Sequence, residues 1–203
     1  MNSIFEYATS VIITLCVVAL FIAIAIDFYL YRSKQGIKHE KRSAVATGSM
    51  IAFYLFYYVL LKYNIGKLPG ISVELFRIQV TIGVVLVALG TVINIVGRIQ
   101  LKGNWANHIK IYENHSLVTR GVYSFARHPL YSSIIIMLFG GSLIYSNWVS
   151  AVLVAFVFVP SMVYRAKQEE KLLINEFSEY EEYKQQVGIF FPKRLRGYRN
   201  ERI

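Results

Sequence analysis

Two short polar clusters in this chain join ionisable groups to apolar stretches. The first is Arg127-His128-Pro129-Leu130-Tyr131. Proline pushes the residue before it toward extended geometry and suits the first turn of a helix. The run therefore predicts His128 at an N-cap, Pro129 at the first helical position and Tyr131 at the third. The unpaired N–H groups of such a turn, with the helix dipole, form an anion site. Arg127 and His128 add donors, and Tyr131 lies three residues after His128, within reach of the same side. The second cluster is Arg165, Glu169 and Glu170. Arg165 and Glu169 are four apart and can pair on one helix face. One cluster offers donors to an anion and the other offers carboxylates to a cation, and a zwitterionic amino-acid moiety carries both charges. The plainer alternative is an interfacial arginine reaching for lipid phosphates and a solvated ion pair worth about 0.3–0.5 kcal/mol.

The elements that must position these groups are apolar. The chain has 203 residues, 55% of them hydrophobic, and a mean hydropathy of +0.44, values ordinary for a multi-span membrane protein. A bilayer core needs roughly 20 apolar residues in helix. Tyr7 to Ile26, Ser43 to Leu61 and Ile78 to Gly97 each supply such a run. From Leu130 to Tyr164 no charge occurs. One helix of that length would measure about 50 Å, well beyond the ~30 Å core. The stretch must hold two spans, reversing at Tyr145-Ser146-Asn147-Trp148, where Ser and Asn suit a turn and Tyr and Trp suit the interface. The expected fold class is all-α: five transmembrane helices, with a cytosolic-side cofactor pocket built by the last two spans and their flanking segments. Residues 1–97 would form three N-terminal spans. Residues 98–203 would form the half that carries the chemistry, ending in an interfacial helix.

Charge gives orientation. The net charge is +10, and the basic residues flank apolar runs, so anionic lipid headgroups are the expected partner and nucleic acid is not. The loop Arg32 to Arg42 and the segment Arg98 to Arg127 are rich in Lys and Arg, as is the tail from Arg165; the Ser146 turn has none. Alternate loops are rich, which predicts an N-terminus outside and a cytosolic C-terminus in the cell membrane. Both polar clusters then lie on one side. No Lys or Arg precedes the first run, so it reads as a retained span rather than a signal peptide. Cys16, the single cysteine, excludes an intramolecular disulfide and a cysteine-based metal site, and no metal ligands are assigned. Gly83, Gly90 and Gly97 share a helix face and predict a close packing seam. Pro160 removes a helix hydrogen bond and predicts a kink one turn before Arg165. No dinucleotide fingerprint or P-loop occurs.

The stretch Gly103-Asn104-Trp105 … His115-Ser116-Leu117-Val118-Thr119-Arg120-Gly121-Val122-Tyr123-Ser124-Phe125-Ala126-Arg127-His128-Pro129-Leu130-Tyr131 resembles the core motif of the isoprenylcysteine carboxyl methyltransferase family. Arg165-Ala166-Lys167-Gln168-Glu169-Glu170-Lys171-Leu172-Leu173, with Phe177, Tyr180, Tyr183 and Phe190-Phe191-Pro192, is similar to its C-terminal signature. The resemblance implies a membrane enzyme that uses S-adenosylmethionine and takes a lipophilic or prenylated acceptor from the bilayer. Carried over, Leu117, Val118, Tyr123, Arg127, His128, Tyr131, Glu169 and Glu170 would hold the cofactor. Arg165 and Glu169 would be the catalytic pair. The chain departs from the common pattern at Val122, where proline is usual, and at Ser132-Ser133, where a glycine often follows the tyrosine. A prenylcysteine carboxylate arrives ionised and needs only orientation by Arg165, whereas a phospholipid amine needs a Glu or His base; a small thiol acceptor is a third option. Two further alternatives are a membrane sterol-type NADPH reductase, through a related Arg-His-Pro-x-Tyr segment, and a non-catalytic protein with a lipid-binding basic face.

Overall fold

The structure, a computed structural model, describes residues 3–31, 37–41, 44–102, 109–112 and 116–193. Arg32, Lys34, Arg42, the Gly103-Asn104-Trp105 segment, His115 and the tail from residue 194 lie outside the described residues. Helices dominate: α1 (Ser3–Tyr31), α2 (Ala44–Lys62), α3 (Val73–Leu101), α4 (Pro129–Ile144), α5 (Trp148–Leu153), α6 (Val159–Glu176) and α7 (Tyr180–Gln186). Strand β1 (Ile37–Lys41) pairs antiparallel with β2 (Ile109–Tyr112), a ribbon that the hydropathy pattern does not signal.

Among the described residues, three helical stretches are long and apolar enough to cross a membrane: Ile4–Leu30, Val73–Leu101 and Trp148–Glu176. Gly48–Lys62 and Pro129–Ile144 are apolar but shorter; the 16 residues of α4 measure about 24 Å. The uncharged stretch after Leu130 does reverse where expected. Helix α4 stops at Ile144 and α5 starts at Trp148. Ser146 adopts a positive φ of 51° there, and Asn147 caps α5 by accepting from the Ser150 N–H at 2.9 Å. A single wide turn, Val154–Phe158, joins α5 to α6, with the Val159 N–H reaching back to the Val154 carbonyl. It falls just before Pro160. The proline lacks an N–H and crowds the carbonyl four residues earlier, and a five-residue register relieves that crowding. The disturbance expected at Pro160 thus takes the form of a π turn.

The chain divides into two compact units. The first comprises Met1–Leu20, Ser43–Val92 and Ser133–Ser161. Here α3 meets α4 through glycine: a Cβ on Gly83 would lie 2.7 Å from the Gly140 carbonyl oxygen, and one on Gly90 would lie 2.8 Å from that of Ser133. The Tyr57 hydroxyl donates to the Leu138 carbonyl at 2.6 Å. The Asn147 amide donates to the carbonyls of Leu60 and Ile65, at 3.2 and 2.9 Å. The second unit comprises Phe21–Arg42, Ile93–Ser132 and Met162–Ile203. In it Gly97 faces Leu130 of α4, so all three glycines of the expected seam face that helix. Tyr180, Tyr183 and Val187 form its buried apolar centre, with Leu117, Leu173, Ile174 and Phe177 against them. Both polar clusters belong to this second unit.

Candidate active site

Helix α4 begins at Pro129 as the sequence predicts. The backbone N–H groups of Tyr131 and Ser132 both donate to the His128 carbonyl at 3.1 Å, which closes the first turn over the N-cap. The segment before it is fixed by main chain. The Arg127 N–H donates to the Gly188 carbonyl at 2.9 Å and the His128 N–H to that of Ile189 at 3.0 Å. The Ser132 hydroxyl lies 2.7 Å from the Phe190 carbonyl and 3.0 Å from that of His128. A strap after α7 thereby sets the position of Arg127 and His128.

The two clusters, 34 or more residues apart in sequence, close into one network. Glu170 is buried and takes two contacts of 2.8 Å from the Arg127 guanidinium, through Nε and a terminal nitrogen. That guanidinium also donates to the Lys184 carbonyl at 3.1 Å and to the carbonyl of Val187. His128 Nε2 stands 3.3 Å from Glu170 Oε1, and Nδ1 stands 3.4 Å from Glu169 Oε2. The Tyr131 hydroxyl donates to Glu169 and accepts from Arg165 Nε at 2.9 Å. Arg165 and Glu169 make the expected pairing at 3.7 Å. The rings of His128 and Tyr131 stack at 5.5 Å with planes 7° apart, and the Arg165 guanidinium lies 5.9 Å from the Tyr131 ring centre.

The adjacent glutamates therefore divide the work. Glu170 points into the protein toward Arg127, with 6% of its side chain exposed. Glu169 points toward Tyr131 and Arg165 and is 24% exposed, with Arg165 at 18%. Burial lowers the proton affinity of His128, yet its bonds to Glu169 and Glu170 outweigh that and raise its pKa above the usual histidine value.

Tyr123 sits in a 3-10 turn, Gly121–Ser124, that begins after Arg120. It is buried, its hydroxyl lies 3.4 Å from the Gly97 carbonyl, and its own carbonyl accepts from the Tyr183 hydroxyl at 2.5 Å. Burial pushes its pKa up. Gly121 opens the turn at a φ of +62°, where an L side chain is strained. Val122, which stands where the resembling family has proline, uses its N–H to bond Gln100 at 3.0 Å, a bond proline lacks. Leu117 packs on the Tyr180–Tyr183–Val187 cluster and Val118 is half-buried; neither brings a polar side chain to the network. Sequence reasoning missed Ser132 and the carbonyls of Lys184 and Val187 to Phe190. Ser132 left one signal, its position four residues after His128 in the next turn of the helix. The carbonyls left none, because any residue supplies one.

Known proteins give this arrangement a setting. The sequence profile of the isoprenylcysteine carboxyl methyltransferase family matches residues 82–175, a range that contains both charged clusters. That range is a little under half of the chain, and over it the chain is similar to the family. It is 36% identical to protein-S-isoprenylcysteine O-methyltransferase of Saccharomyces cerevisiae over 120 residues, covering 57% of this chain and 50% of the relative. It is 38% identical to the cobalt-zinc-cadmium resistance protein CzcN of Cupriavidus metallidurans over 123 residues, covering 60% of this chain and 52% of that protein. The chain thus spans about half the length of these curated relatives. The solved eukaryotic intramembrane Ras methyltransferase ICMT shares the fold, with a TM-score of 0.53 and 21% identity over 78% of this chain and 56% of that one.

Proposed function

We propose that this chain is a member of the isoprenylcysteine carboxyl methyltransferase family and transfers a methyl group from S-adenosylmethionine to a lipophilic acceptor, most readily the carboxylate of an isoprenylcysteine-like molecule. The observation that carries the reading is the closure of the two clusters into one network with a buried face and a partly open face. The buried face, Arg127–Glu170 with His128, has its charged groups paired with one another. The partly open face offers the Glu169 carboxylate beside the Arg165 guanidinium.

That pairing of one acceptor group and one donor group fits the amino-acid moiety of S-adenosylmethionine, an ammonium and a carboxylate on one carbon. When bound, S-adenosylmethionine supplies a methyl group made electrophilic by its sulfonium. Glu169 holds a cationic group, and Tyr131 keeps the Glu169 carboxylate turned outward. Arg165 orients an anionic oxygen of cofactor or acceptor. Tyr123, Leu117 and Val118 belong to the surrounding wall. In-line displacement depends mostly on such alignment and on excluding water. Both ring nitrogens of His128 face carboxylates, Nδ1 that of Glu169 and Nε2 that of Glu170, so neither is turned to an acceptor proton. This favours an acceptor that arrives already ionised, a carboxylate, over a phospholipid amine that must first lose a proton.

The setting is a multi-pass membrane protein. The reading keeps five spans, with α2 and α4 as the short ones, an outward N-terminus and a cytosolic site, as the distribution of Lys and Arg supports. Residues 1–97 would then shape the acceptor side and residues 98–203 the cofactor side, with anionic lipids against the basic loops.

The test is turnover with labelled S-adenosylmethionine and a farnesylcysteine acceptor. Arg165→Gln and Glu169→Gln should each lower methyl transfer at least about a hundredfold, roughly 2.7 kcal/mol of transition-state stabilisation, while thermal stability changes little. Wild-type turnover in both variants sinks the proposed site. Saturable binding of NADPH in place of S-adenosylhomocysteine would favour a reductase instead.

A further inference from the structure

The turn Gly121–Ser124 runs on into Arg127 and His128, and a side chain from α3 holds its start. The first N–H groups of a helical turn have no partner within it. That of Val122 finds one outside, donating to Gln100 Oε1 at 3.0 Å. The Val122 carbonyl accepts from the N–H groups of Phe125 and Ala126 at 3.3 and 3.2 Å. Val122 is therefore bonded to α3 through one peptide group and to the residues just before Arg127 through the next.

The end of α3 meets this turn at three consecutive residues. The Gln100 amide lies over Gly121, where an added Cβ would overlap it. Gly97 stands three residues before Gln100, on the same helix face. A Cβ on Gly97 would lie 3.7 Å from Val122 Cγ2, and the Gly97 carbonyl lies 3.4 Å from the Tyr123 hydroxyl. Of these contacts the Gln100 bond is the firmest, since 3.4 Å is long for a hydroxyl on a carbonyl. No step of the proposed chemistry uses Gln100.

We propose that Gln100 is a positioning residue of the candidate site: its amide oxygen sets the Gly121–Ser124 turn, and with it Tyr123 and the approach of the chain to Arg127 and His128. This rests on the methyl-transfer reading, in which Tyr123 belongs to the wall around the cofactor and His128 to the network beside it. Gln100 touches no reacting atom, so its loss acts on cofactor affinity through the turn.

The experiment measures affinity for S-adenosylhomocysteine in detergent, with the thermal midpoint as a check on folding. It compares Gln100→Ala, Gln100→Glu, Val122→Pro and the double variant Gln100→Ala/Val122→Pro. Gln100→Ala should weaken binding about fivefold, the size of one ordinary hydrogen bond. Gln100→Glu keeps an oxygen for the Val122 N–H and should recover most of that loss. Val122→Pro removes the N–H and points a ring carbon at the Gln100 oxygen, so it should weaken binding at least as much as Gln100→Ala. In the proline background, Gln100→Ala relieves that crowding and should improve binding. One change at position 100 thus acts with opposite sign in the two backgrounds, whereas a role in packing alone gives a loss in both. A loss in both backgrounds overturns the proposal. Unchanged binding in Gln100→Ala does so too, as does a Gln100→Glu variant no better than Gln100→Ala. If Val122→Pro does not fold, the comparison of Gln100→Ala with Gln100→Glu decides alone. A wild-type protein that binds no S-adenosylhomocysteine would bring down the methyl-transfer reading itself, a result distinct from these.

Discussion

The two compact units differ in the charge of the polar groups they bury. In the first, the buried partners are neutral: Tyr57 bonds to a carbonyl of α4, Ser150 to Ser142 at 2.8 Å, and Asn147 to two carbonyls beyond α2 and at its end. The second has neutral bonds too, at Ser132 and Tyr183, but adds ion pairs: Arg127 with Glu170, His128 between two carboxylates, and Arg98 with Asp27. Neutral hydrogen bonds satisfy backbone groups at modest energy and suit helices whose outer faces are apolar. Ion pairs are an expensive way to hold a fold, since desolvation offsets most of their attraction. A structure that packs one unit with serines and glycines does not need buried guanidiniums in the other for stability. The contrast therefore marks the second unit as the one whose buried charges call for a reason other than packing.

The largest effect should come from breaking a buried charge pair. Arg127→Gln leaves the buried Glu170 carboxylate with His128 alone, and Glu170→Gln leaves the Arg127 guanidinium with neutral partners such as the Lys184 and Val187 carbonyls; each takes the main partner from a buried charge, at a cost of about 3–5 kcal/mol. Replacing both should recover much of the loss. In the first unit Asn147→Ala removes a cap and two donors to carbonyls, but no charge, and should cost about 1–3 kcal/mol. Reversible unfolding in mixed micelles measures both. Equal costs in the two units would erase the distinction between them.

A smaller difference separates the glycines. A Cβ at Gly83 meets the Gly140 carbonyl oxygen at 2.7 Å, backbone that cannot swing away. A Cβ at Gly97 meets the end of the Leu130 side chain at 2.9 Å, which can change rotamer. Gly83→Ala should thus cost about 1–3 kcal/mol by overpacking, and Gly97→Ala clearly less. The same unfolding assay tests the order; a Gly97 variant as damaging as the Gly83 variant would show that Leu130 has no alternative rotamer available.

These particulars also show what the sequence could reveal. Hydropathy located the helices because a charge-free stretch has few other uses, and length alone forced the reversal near Ser146. Proline after histidine placed the start of α4 to the residue. The pairing of Arg165 with Glu169 followed from helical spacing. Which glutamate faces inward did not, since neighbouring helix positions point about 100° apart and their partners lie in distant chain. Asp27 was silent for the same reason: an acid near the end of an apolar run looks like an interfacial residue until Arg98, 71 residues away, is seen beside it. The strap after α7 acts through carbonyls, which have no signature in side-chain identity.

The smallest expected effect concerns the proton on His128, and it bears on the ionic character of the second unit directly. Burial alone would lower its pKa, and the hydrogen bonds to Glu169 and Glu170 raise it by more. The folded protein therefore binds this proton more tightly than the unfolded chain does, where the histidine value is about 6.5. Linkage gives the sign: the stabilisation is fully present below that unfolded value and is lost as pH rises through the higher folded value. Each tenfold difference in proton affinity corresponds to about 1.4 kcal/mol. The thermal midpoint of the wild type should then fall, relative to that of His128→Gln, as pH is taken upward from about 6.5. Glu170 keeps Arg127 as its partner in the variant, so the difference isolates the histidine. A wild-type advantage that grows with pH would mean that burial wins and His128 is neutral. A neutral His128 could accept a proton, and an amine acceptor, which needs a base, would gain ground over a carboxylate.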